Sequence, residues 1–188
     1  MSIPQLDPRT ALIVVDLQKG IVGRPAVHPI GAVVARIRAL ADAFRTQGLP
    51  VVLVNVAGRP PGRTEQAPRL ESPPPEGWTE LIPELGRQPG DITVTKHSWG
   101  AFAGTNLEAR LKALGVTQVV VTGVATAIGV EATARQAYEL GFNVTLACDA
   151  MTDMRAETHD NSIDNIFPRL GETGTSADIL ALLRKRSA

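Results

Sequence analysis

At 188 residues, 44% of them hydrophobic and 20% charged, the chain has the size and composition of one globular domain with a substantial core, which excludes a disordered polymer. Its 19 Lys and Arg side chains balance 19 Asp and Glu, so no electrostatic footprint for nucleic acid or an anionic membrane surface is expected. A single cysteine, Cys148, excludes an internal disulfide framework and cysteine-rich metal clusters. With no signal-peptide pattern and apolar runs far short of the ~20 residues a membrane span needs, residues 1–188 are expected to form one cytoplasmic domain.

Short apolar runs alternate with helix-length amphipathic stretches, the pattern of βα units building a parallel sheet. Ala11-Leu12-Ile13-Val14-Val15 is continuously apolar, as a strand covered on both faces requires, and it ends at Asp16. Val33, Val34, Ile37, Leu40, Ala41 and Phe44 make one helical stripe, stopped by Gly48 and Pro50. Val51–Val56 reads as the second strand, and Ile92-Thr93-Val94-Thr95, leading into Lys96, as the third.

Between them, residues 57–91 hold eight of the 14 prolines (60, 61, 68, 73, 74, 75, 83 and 89), with one short helical turn expected at 81–85. A segment of that length is either a lid or binding loop, or a surface insertion or subunit contact, and its composition leaves both readings open.

Thr105 and Glu108 have the spacing of a capping box, opening a helix with Leu107, Leu111 and Leu114 on its apolar face. Val119-Val120-Val121 reads as a central fourth strand, 127–140 as a helix and 142–148 as the fifth strand. His159, Ile163, Ile166 and Phe167 mark a helix face ended by Pro168. A short edge strand is expected near 173–175, with Ser176 capping the last helix. The predicted fold is α/β: a three-layer α/β/α sandwich with a six-stranded, mainly parallel sheet and about five helices.

Ligands of such sheets bind beyond the carboxyl ends of the strands. Asp16 ends strand one, Lys96 ends strand three, and Gly123-Val124-Ala125-Thr126-Ala127-Ile128-Gly129 follows strand four. A desolvated carboxylate suits proton transfer, a nearby ammonium keeps it ionised and stabilises developing anions, and backbone N–H groups of the turn suit an oxyanion. The same residues also suit plain turn and capping roles. The glycines do not form G-x-G-x-x-G, which speaks against a dinucleotide cofactor, and His28, His97 and His159 lack ligand spacing, so no metal is expected. His97 and Trp99, beside Lys96, are candidates for the pocket wall; Cys148 and His159 read as packed residues.

Three segments carry a resemblance: Ala11-Leu12-Ile13-Val14-Val15-Asp16-Leu17-Gln18, then Thr95-Lys96 with Ala101-Phe102, then Val121-Thr122-Gly123-Val124-Ala125-Thr126 with Thr133-Ala134 and Ala137. Together they resemble the isochorismatase-like hydrolase superfamily, which includes isochorismatases, nicotinamidases and N-carbamoylsarcosine amidases. The resemblance implies an α/β/α fold, a cis peptide at Val124–Ala125, homodimers or homotetramers, and a catalytic aspartate and lysine at Asp16 and Lys96. The nucleophilic cysteine of the amidase branch falls on Gly129, which has no side chain to attack with. Isochorismatases also carry glycine there.

The implied activity is hydrolysis of a small vinyl ether, or activated amide or ester, by Asp16 and Lys96 without a covalent intermediate. In that scheme Ala125, Thr126, Trp99 and His97 contact substrate, and Gly129 contributes only its backbone. The alternative is a catalytically silent relative that binds a small carboxylic acid or a protein partner.

Overall fold

Six strands pair in parallel throughout, in the order β3-β2-β1-β4-β5-β6, in a computed structural model that describes residues 3–65 and 74–186. The strands are β1 (Thr10–Val15), β2 (Val51–Val56), β3 (Ile92–Lys96), β4 (Gln118–Val124), β5 (Asn143–Thr152) and β6 (Glu172–Gly174). Seven α-helices accompany them among the described residues: α1 (Lys19–Val22), α2 (Ile30–Thr46), α3 (Leu107–Ala113), α4 (Glu131–Glu139), α5 (Ala156–Asn161), α6 (Phe167–Leu170) and α7 (Ser176–Lys185), with a short 3-10 turn at Pro83–Leu85 and π-helical turns at Thr126–Val130 and Ser162–Ile166. The order reverses between β1 and β4, so the strand ends that diverge there leave a crevice.

Both faces of the sheet are covered, which is why β1 reads as an unbroken apolar run. Ala11, Ile13 and Val15 pack with Leu107 and Leu111 of α3, Ala134 and Ala137 of α4 and Phe167 of α6. Leu12 and Val14 point the other way, against Val33, Ile37, Leu40 and Phe44 of α2 and Ile179 and Leu183 of α7. No described helix is long and apolar enough to cross a membrane.

Local chemistry departs from the sequence expectations at several element ends. Thr105 accepts from Leu107 N–H at 3.3 Å but donates its own hydroxyl to the Ala101 carbonyl, while Glu108 pairs with Lys112 instead of reaching back. Asn106 is the N-cap of α3, without a side-chain bond. At α7 the cap is Thr175, in a capping box with Asp178, because Ser176 is held by Asp149 through both its N–H and its hydroxyl. Pro168 does not end its helix: it sits in the first turn of α6, where a missing N–H costs nothing, and Gly171 ends it. β5 runs on to Thr152, with a register shift against β4 between Val121 and Gly123.

Gly123 of β4 pairs with Val15 of β1 at close quarters. A Cβ on Gly123 would lie 2.1 Å from the Val15 carbonyl oxygen, and φ is +123° there. Gly123→Ala should therefore lower unfolding free energy by about 2 kcal/mol or more in a denaturant titration, since neither the overlap with backbone nor the left-handed conformation can be relieved locally.

Candidate active site

At the crevice between β1 and β4, Asp16 leaves the strand with φ +55°, a left-handed conformation costly for a residue with a side chain and typical of functional positions. The turn aims its carboxylate back under the strand ends, where only 6% of the residue stays exposed. From the end of β3, two strands away, Lys96 is buried and reaches across β2 to place Nζ 2.9 Å from Asp16 Oδ2. The ammonium also donates to the carbonyls of Ser98 at 3.2 Å and Trp99 at 2.6 Å, so all three of its hydrogens have acceptors.

The second carboxylate oxygen, Asp16 Oδ1, is buried with no hydrogen-bond partner among the described residues. Burial pushes the Asp16 carboxyl up from 3.8 to about 6, even though the Lys96 charge and hydrogen bond pull it down. Desolvation wins here because the pair is almost wholly removed from water.

The carboxylate faces a cavity of about 220 Å³ whose wall includes Lys96, Ala125, Ile128, Gly129, Trp78 and Trp99. The Val124–Ala125 peptide is cis. After it, residues 126–130 form a single π-helical turn that brings Gly129 under the carboxylate. A Cβ on Gly129 would stand 3.1 Å from Asp16 Oδ2 and 2.9 Å from Val15 Cγ1. The turn is held from below by Asp153, which accepts from Ala127 N–H at 2.8 Å, and by Ala125 C=O, which accepts from Ile128 and Val130. The N–H of Ala125 itself donates to no group among the described residues.

The proline-rich segment supplies another wall. Residues 78–82 lie antiparallel along 17–20: Lys19 N–H bonds Glu80, Gly20 N–H bonds Trp78, and Ile82 N–H bonds Leu17. Lys19 and Glu80 also pair through their side chains. Gln18, fully buried, donates to the carbonyls of Val56 and Trp78 and accepts from Val56 N–H, locking this strap to the end of β2. The Trp78 indole lies against Gly20, where a Cβ would come within 2.1 Å of the ring. The described part of the segment contributes Gly58, Arg59 and Trp78 to the cavity wall; residues 66–73, with Pro68 and Pro73, lie outside the described residues.

Two sequence expectations are corrected. His97 is exposed, its ring against Gly58, and does not line the cavity: Lys96 points inward at the strand end, so its neighbour points out. Thr126 is buried but turns away from the cavity, its hydroxyl 2.8 Å from His159 Nδ1. The structure does place Asp16, Lys96, Ala125, Trp99 and Gly129 around one cavity. Cys148 lies on β5 outside that cavity, packed against the core, and burial pushes its thiol up to about 11. Sequence reasoning missed Trp78, Ile21, Arg24 and Met154, which also line the site, and did not assign Gln18 or Asp153 to it. Among the described residues no three His, Cys, Asp or Glu side chains are grouped as a metal ion would require.

A family model, the isochorismatase domain, matches residues 10–178. The chain is 40% identical over 179 residues to the isochorismatase family protein YwoC of Bacillus subtilis, covering 92% of this chain and 93% of that one. It is 31% identical over 170 residues to the ureidoacrylate amidohydrolase RutB of Stutzerimonas stutzeri, covering 75% of this chain and 68% of that one. A solved structure of an isochorismatase family protein from Burkholderia thailandensis superimposes with a TM-score of 0.91 at 44% identity, covering 97% of this chain and 100% of that one.

Lys96→Met removes the charge that holds Asp16 down while keeping an apolar stem of similar length. The Asp16 carboxyl should then titrate above about 6, read from its carboxyl carbon by NMR; an unchanged or lowered value would show that the two groups are not coupled.

Proposed function

The chain belongs to the isochorismatase family of hydrolases, and from that premise we propose that it hydrolyses a small molecule by direct attack of water, with Asp16 as the proton-transfer group and no covalent enzyme intermediate. One observation carries the reading: Asp16 lines the cavity with its Oδ1 buried and unpartnered and its Oδ2 held by Lys96, at a site where Gly129 offers no nucleophile. A carboxyl at about 6 is populated in both protonation states near neutrality, as a proton-transfer group needs.

With a vinyl ether, protonated Asp16 gives its proton to the terminal vinyl carbon. Water adds to the oxocarbenium carbon and returns a proton to Asp16, and the hemiketal collapses to a carbonyl and an alcohol. With an activated amide or ester, ionised Asp16 takes a proton from water as the hydroxyl adds to the carbonyl. The Ala125 N–H and the Lys96 ammonium stabilise the oxyanion, and the proton passes to the leaving nitrogen or oxygen.

Purified protein tested against vinyl ethers, amides and esters decides the proposal. Asp16→Asn should cost about 100-fold or more in kcat/KM, whereas Cys148→Ser should leave turnover intact. Loss of activity in Cys148→Ser, with Asp16→Asn still active, would overturn it. The pH profile separates the two chemistries: kcat/KM falls above about pH 6 if protonated Asp16 is the donor, and rises through about pH 6 if its carboxylate is the base.

A further inference from the structure

A single buried acid outside the cavity holds several pieces of its wall together. Asp153 follows β5, is 3% exposed and does not itself line the cavity. Its Oδ2 accepts from the N–H of Ala127 at 2.8 Å, in the turn that carries Ile128 and Gly129. Its Oδ1 accepts from the N–H of Met154 at 2.7 Å, and its carbonyl accepts from the N–H of Val27 at 2.8 Å. Met154 lines the cavity, and Val27 belongs to the stretch after α1 that includes Arg24, another lining residue.

The turn cannot supply this acceptor itself. Residues 126–130 run directly into α4, so their first N–H groups are the free donors of one helix N-terminus. The cap position is Ala125, whose methyl group accepts nothing. Asp153 provides the missing acceptor from another element, and a carboxylate there also meets the positive end of the helix. An amide would serve less well: both oxygens face N–H groups, so an asparagine would turn its own NH2 on one of them.

The carboxylate forms no ion pair among the described residues, and burying it on backbone donors alone is costly. Folding of the turn does not demand that cost, because other ties hold it. The Thr126 hydroxyl lies 2.8 Å from His159 Nδ1, and the Gly129 carbonyl accepts from the Thr133 hydroxyl at 2.6 Å.

We propose that Asp153 is a positioning residue for the hydrolysis: it fixes the turn beneath Asp16, so that the Ala125 N–H and the Gly129 backbone meet the substrate in register and bulk water is kept from the Asp16–Lys96 pair. It touches neither the substrate nor the reacting atoms and acts through Asp16 and Ala125. The assignment rests on the hydrolytic reading of this site, but its first readout does not need turnover.

Asp153→Asn keeps the shape and one acceptor, and Asp153→Ala removes both; each is checked for folding by its thermal melt. With the turn loosened, water reaches Asp16 and relieves the burial that raises its carboxyl. By NMR titration that carboxyl should fall from about 6 toward 3.8, further in Asp153→Ala than in Asp153→Asn. In turnover, kcat should fall about tenfold or more while KM changes less, and the midpoint of the pH profile should move down with Asp16. Thr175→Ala, which breaks the capping box of α7, is the control: it should lower the melt yet leave Asp16 at about 6 and kcat unchanged. An Asp16 titration unmoved in Asp153→Asn overturns the proposal, and that variant decides alone should the alanine variant not fold. An equal shift in the two variants overturns it as well, since the lost charge would then account for the effect. A graded Asp16 shift in a protein that turns over no vinyl ether, amide or ester supports the positioning of Asp16 and defeats the hydrolytic reading instead.

Discussion

A buried ion pair between the ends of β1 and β3 organises this end of the molecule. Taking Asp16 and Lys96 out of water is expensive, and their attraction offsets that only if the remaining donors and acceptors are also satisfied. Lys96 meets the condition: the carbonyls of Ser98 and Trp99 take the hydrogens the carboxylate does not. Asp16 does not, since Oδ1 has no partner among the described residues, and its carboxyl is correspondingly raised to about 6. The sign for stability is unfavourable. The folded state holds this proton more tightly than the unfolded chain does, so between about pH 3.8 and 6 ionisation removes stability rather than adding it. A core residue selected for stability alone would be apolar here; the cost falls where chemistry needs a titrating group.

The rest of the site is arranged to keep that pair dry and aimed. Gly123 lets β4 approach β1 closely enough that the following turn passes beneath Asp16. The strap at 78–82 then closes the side of the cavity, fixed by backbone bonds to 17–20 and by the buried Gln18 amide. The glycine at position 20 belongs to the same device, because any side chain there would displace Trp78.

Periodicity and strand ends carry most of the signal legible in the sequence. The unbroken apolar runs of β1, β2 and β4 require a sheet covered on both faces, and Asp16 and Lys96 stand out because a charged residue closing such a run has one place to point. The strap is not legible: two stretches about sixty residues apart pair through backbone groups, which leave no side-chain pattern. Trp78, Gln18 and Arg24 escape notice for that reason. The error at His97 is avoidable, since strand alternation turns the neighbour of an inward Lys96 outward. The error at Thr126 is not, because a π-helical turn rotates its first side chain toward His159 in a way no helical spacing anticipates.

Gly129 bears on the chemistry through space as well as through the nucleophile it lacks. The gap between it and Asp16 is narrow, so even a methyl group would press on Oδ2 at 3.1 Å and on Val15 at 2.9 Å. A side chain at this position would compete with Lys96 for the same carboxylate oxygen and would occupy the cavity floor. Glycine leaves the Asp16–Lys96 contact undisturbed and the floor open to a substrate or to water. A residue that crowds the carboxylate suits a mechanism in which carboxylate and side chain exchange a proton directly. An open floor suits one in which the carboxyl acts on the substrate and on water.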